Sequence, residues 1–78
     1  MTLEEAIRKR IIELAKERDI TINMVSTLAG LTHTTLLSFM NNKTHNPRIS
    51  TLLHICEAFD IELKDFFNST IFRNVIDE

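Results

Sequence analysis

An all-α fold is what this sequence predicts, and three observations predict it. Apolar residues recur at spacings of three and four along successive segments, the pattern of helices that each bury one face. No segment sustains the apolar–polar alternation of a half-buried strand. The chain is also punctuated by helix signals: Thr2, Thr21 and Thr32 precede the periodic runs, while Gly30, Asn42 and Asp60 follow them.

Thr2-Leu3-Glu4-Glu5 reads as a capping box, with Thr2 accepting from a backbone N–H and Glu5 reaching back. Leu3, Ile7, Ile11, Leu14 and Ala15 then make the inner face of a first helix to about Arg18. Arg8, Lys9, Glu13, Lys16 and Glu17 make its solvated face. Thr21 caps the second helix, with Val25, Leu28 and Ala29 inward. Gly30, the only glycine in 78 residues, ends it in left-handed geometry, where close helix packing is also expected. Leu31 turns into the core and Thr32 caps the third helix. There Leu36 and Phe39 point inward, Met40 lies at the edge, and His33, Thr34, Leu37, Ser38 and Asn41 face out.

Asn42 tolerates the left-handed stop of that helix. A loop from Lys43 to Arg48 follows, with Pro47 biasing Asn46 towards an extended backbone. A fourth helix opens at Ile49 or Ser50, buries Leu52, Ile55, Cys56 and Phe59, and stops at Asp60. Leu63 to Phe67 form a short fifth. Residues 1–67 are thus expected to make the domain and residues 68–78 a tail. Ile71, Phe72, Val75 and Ile76 give that tail two options: folding back, or self-association, with slightly more weight on a dimer.

Seventy-eight residues bound the chain to one domain with a modest core. A single cysteine cannot form an internal disulfide, so Cys56 is expected to be buried, in a reducing cytosol. With no charged-then-apolar leader and no membrane-length apolar run, a cytoplasmic protein without a membrane role is expected. The net charge of −2 hides an uneven distribution. Residues 1–19 balance, and residues 57–78 carry a net −4. Residues 20–56 contain no Asp or Glu, yet hold Lys43, Arg48, His33, His45 and His54. An acid-free stretch suits a surface that faces phosphates, because a misplaced carboxylate repels them.

The second and third helices around Gly30 read as a helix-turn-helix, a motif whose second helix can enter the major groove of DNA. Thr21-x3-Val25-Ser26-x3-Gly30-Leu31-Thr32, then Asn46-Pro47, then Thr51-Leu52-x2-Ile55-Cys56-x2-Phe59-Asp60-Ile61 follow in register. From about Ala6 to Phe67 the chain resembles the lambda-repressor/Cro-like (XRE-type) helix-turn-helix family. The resemblance implies a compact five-helix domain that regulates transcription by binding operator DNA, commonly as a dimer. Asn42 and Asp60 stand where that family usually has glycine, and Ser26 where it has alanine. Ile22 stands where a polar residue often touches phosphate.

The resemblance places His33, Thr34, Thr35, Leu37 and Ser38 towards bases. Thr34 and Ser38 can donate or accept, and His33 can donate to guanine. Leu37 suits a thymine methyl or, equally, a local apolar contact. Phosphate positioning falls to the backbone N–H groups at the helix starts after Thr21 and Thr32, and to Asn41, Lys43, His45 and Arg48. Few charge contacts per subunit favour a homodimer on a palindromic operator in double-stranded DNA. No metal, cofactor or small-molecule substrate is expected. His54 and Cys56, two apart, diverge on a helix, and no nucleophile–base set has a suitable spacing, so an enzyme is not expected. The alternative is a protein-interaction or antitoxin-like module on the same fold, favoured by the net charge and by a third helix without basic residues.

Overall fold

The computed structural model describes residues 1–42 and 46–76. Among them are five α-helices and a terminal 3-10 helix, with no strand. The helices are α1 (Leu3–Glu17), α2 (Ile22–Ala29), α3 (His33–Met40), α4 (Ile49–Phe59) and α5 (Leu63–Phe67), and the 3-10 helix spans Thr70–Asn74. None is long and apolar enough to cross a membrane.

Each of the first three helices opens on a threonine that satisfies an orphan donor. Thr2 Oγ1 accepts from Glu5 N at 3.3 Å, Thr21 Oγ1 from Met24 N at 3.1 Å, and Thr32 Oγ1 from Thr35 N at 3.3 Å. Glu5 reaches back, but to the Thr2 hydroxyl, which donates to its carboxylate at 3.2 Å. The helix stops use left-handed backbone: φ is 69° at Gly30, 64° at Asn42 and 57° at Asp60. Asp19 adds a fourth such turn, at φ 53°. Close packing does not explain the glycine, since a Cβ built at Gly30 would meet nothing within 4 Å. Its backbone conformation alone accounts for the residue type.

One hydrophobic core joins all five helices. Ile7, Ile11, Leu14 and Ala15 from α1 meet Val25 from α2, Leu36 and Phe39 from α3, Leu52, Ile55, Cys56 and Phe59 from α4, and Phe66 from α5. Leu31 and Met40 pack partly buried against this cluster. Ser26 is fully buried at the centre of α2, and its hydroxyl donates to Ile22 O at 3.3 Å, so the polar atom is satisfied.

Two apolar positions expected inside lie outside. Leu28 is 57% exposed because the buried stripe of α2 runs through Val25, Ser26 and Ala29, one residue off its register. Leu3, in the first turn of α1, is 43% exposed. Conversely, the charged side of α1 is not wholly solvated. Arg8 and Glu13 are half-buried, and Arg10 is buried.

These arginines tie α1 to the carboxyl ends of its neighbours. Arg8 Nε donates to Phe39 O at 2.7 Å, and its guanidinium lies 4.7 Å from the Phe39 ring. Arg18 Nε donates to Phe59 O at 3.1 Å and stacks 5.3 Å from that ring. Arg10 donates to Phe66 O at 2.7 Å and Asp65 O at 2.8 Å, and pairs with Glu13. Neither α3 nor α4 has a basic residue in its last turn, so α1 supplies the cations that complement those helix ends.

The described part of the tail, residues 68–76, lies on its own domain. Phe72 packs against the core, with its ring 6.2 Å from that of Phe66 and 5.0 Å from that of Phe67. Ser69 Oγ donates to Glu13 at 3.4 Å, and Ile76 N donates to Met1 O at 2.8 Å. Ile76 itself stays 61% exposed.

Candidate nucleic-acid interface

The residues of interest cluster on α3 because its buried face is narrow. Leu36 and Phe39 are the buried residues of α3, which leaves His33, Thr34, Thr35 and Leu37 exposed and Ser38 half-buried. His33, Leu37 and Asn41 succeed one another at intervals of four, so they line one side of the helix and its C-cap, with Thr34 and Ser38 alongside. Leu37 is 39% exposed, which makes it an apolar point on an otherwise polar face.

Thr35 stands apart from its neighbours. Its hydroxyl lies 2.7 Å from Thr32 Oγ1, so its polar atom is engaged at the cap and its methyl is the freer group. Thr32 and Thr21 both spend their hydroxyls on capping, which leaves backbone N–H groups as the donors the two helix starts can offer. Asn41 is exposed at the C-cap of α3. Arg48 is exposed at the N-cap of α4, where no side chain caps the helix. Thr35, Asn46, Arg48 and Thr51 line a pocket of about 310 Å³ between α3 and the start of α4. Lys43 and His45 lie outside the described residues.

Thr27 was not among the residues expected from the sequence. Its hydroxyl donates to Asn23 O at 3.2 Å and stands 3.5 Å from His33 Nε2, joining α2 to the first residue of α3. A separation of six residues across a turn carries no helical periodicity, so spacing alone did not point to the pair. Among the described residues no group of three or more His, Cys, Asp or Glu side chains is placed to hold a metal.

A short helix α2, a left-handed turn at Gly30 and a second capped helix with a polar outer face define a helix-turn-helix protein. Residues 10–70 match the model of the Cro/C1-type HTH DNA-binding domain. The chain belongs to that family. The match begins midway along α1, so Leu3 to Lys9 precede it. Among solved structures, the crystal structure of prophage Lp1 protein 11 superimposes with a TM-score of 0.82 at 30% sequence identity. That similarity covers 97% of this chain and 100% of the prophage protein's. No curated protein matches the chain in sequence.

Proposed function

We propose that this DNA-binding domain is a transcriptional repressor that acts as a homodimer and reads a palindromic operator with α3 in the major groove. One observation carries the reading: the outward face of α3 joins hydroxyls, an imidazole and an apolar group inside a stretch of sequence free of carboxylates. Thr34 and Ser38 hydrogen-bond to base edges, and Leu37 and the Thr35 methyl pack on thymine methyls. His33 is the fifth base-reading residue. None of these is a bidentate reader, so each contributes modestly to discrimination.

Backbone N–H groups following Thr21 and Thr32, together with Asn41, Lys43, His45 and Arg48, hold the phosphates and fix the register. Such a small set of charges per subunit makes two subunits necessary for firm binding. The apolar tail, residues 68–78, contributes to the dimer surface through exposed Ile76.

Selection from random double-stranded DNA tests the proposal. Enrichment of an inverted repeat, with half-sites about one helical turn apart, is expected. A reporter carrying the enriched site within a promoter is expected to fall when the protein is produced. Failure to enrich any motif refutes sequence reading.

A second reading has its own observation. Met24 and Leu28, one helical turn apart on α2, are both exposed apolar side chains, as an interaction module would require. That reading predicts negligible DNA binding even at low salt.

A further inference from the structure

The contact between Thr27 and His33 specifies more than a packing relation. A hydroxyl has one proton and two lone pairs. The Thr27 proton is directed at Asn23 O, 3.2 Å away, so its lone pairs are what face His33 Nε2 at 3.5 Å. An unprotonated Nε2 would set lone pair against lone pair, whereas a ring N–H finds an acceptor there. Neutral imidazole carries one N–H, so protonated Nε2 leaves Nδ1 as an acceptor. No hydrogen-bond partner for Nδ1 stands among the described residues, and His33 is exposed.

We propose that Thr27 is a specificity-determining residue that acts through His33, holding Nε2 as the donor nitrogen and turning Nδ1 to DNA as an acceptor. The proposal rests on the DNA-binding reading above. It reverses the pairing that the residue type alone suggests. An acceptor in the major groove finds the amino group of adenine or cytosine, and it is repelled by N7 and O6 of guanine and by O4 of thymine. At 3.5 Å the contact is longer than the usual 2.7–3.2 Å, so it biases the tautomer and ring orientation and does not lock them.

Two measurements test this with the full chain. In free protein in alkaline buffer, long-range proton–nitrogen correlation should find His33 predominantly as the Nε2–H tautomer. Thr27→Val, which keeps the shape and removes the acceptor, should lower that population. Predominance of Nδ1–H, or no response to Thr27→Val, overturns the proposal. DNA selection should then be run on the wild type, Thr27→Val, His33→Ala and the double variant. At one base pair per half-site the wild type should discriminate about fivefold, the size of one modest hydrogen bond. Either single variant should bring that preference close to unity, and the double variant should go no further. Preferences elsewhere should persist, which a merely structural loss would not allow. An undiminished preference in Thr27→Val overturns the proposal. If the wild type enriches no motif, the DNA-binding reading has failed together with the base-reading role. The tautomer measurement then still decides whether Thr27 controls the imidazole.

Discussion

Arg10 carries more of the fold than its charge suggests. Only 9% exposed, it donates to two carbonyls at the end of α5 and pairs with Glu13, so each of its three nitrogens has a partner. Arg10→Met keeps much of the volume but removes the side-chain donor to Phe66 O and leaves Asp65 O with Asn68 N alone. A loss of about 2–4 kcal/mol in urea unfolding is expected, as for a broken buried charge network. The position was readable, since Arg10 falls three residues after Ile7 and four before Leu14, within the inward stripe. Residue type conceals it, because arginine in a helix is ordinarily solvated. Cys56 shows the opposite case, in which composition alone pointed to burial. Burial, the largest effect, pushes its thiol above the ordinary 9.0, with smaller contributions from neighbouring charges. The folded state therefore resists ionisation. The stability tied to the neutral thiol is complete below pH 9.0 and is lost as pH rises past it towards the folded value. Cys56→Ala should be less stable at neutral pH and should lack this alkaline component, as unfolding curves at several pH values will record.

At the scale of elements, the helix boundaries were legible because local chemistry sets them. Threonine caps and left-handed stops act within three or four residues, and each cap is worth about 1 kcal/mol. The same locality explains what could not be read. Where Arg8 and Arg18 find their partners depends on Phe39 and Phe59 arriving from α3 and α4, 31 and 41 residues away. The exposed Leu28 reflects which side of α2 its neighbours occupy, a tertiary choice that periodicity over eight residues cannot settle. The tail belongs here too. With Phe72 against Phe66 and Phe67, a chain ending at Phe67 should unfold at lower temperature, because it loses buried apolar surface. Sedimentation of the same chain tests the dimer proposal. A shift from dimer to monomer supports a role for residues 68–78, and an unchanged dimer removes them from the interface.

For the whole molecule, the governing feature is the partition of charge between acid-free residues 20–56 and acidic residues 57–78. Under the proposed reading, that partition leaves no carboxylate within the segment that meets the phosphates. The outward face of α3 was legible residue by residue, since it follows from helical spacing once Leu36 and Phe39 are placed. The engaged Thr35 hydroxyl and the Thr27–His33 contact were not, because rotamers and cross-turn approach leave no periodic trace. The two classes of residue should separate in binding. Ser38→Ala should relax base preference at one position with little change in salt dependence. Arg48→Ala and Lys43→Ala should each weaken all sequences alike and reduce the salt slope by about one per site.

The most direct measurement is selection from random double-stranded DNA, followed by binding of the enriched sequence at several salt concentrations. The expected result is an inverted repeat bound well above scrambled DNA, with an affinity that falls as salt rises. No enriched motif, with negligible binding at low salt, would contradict the assignment of α3 as a reader of DNA.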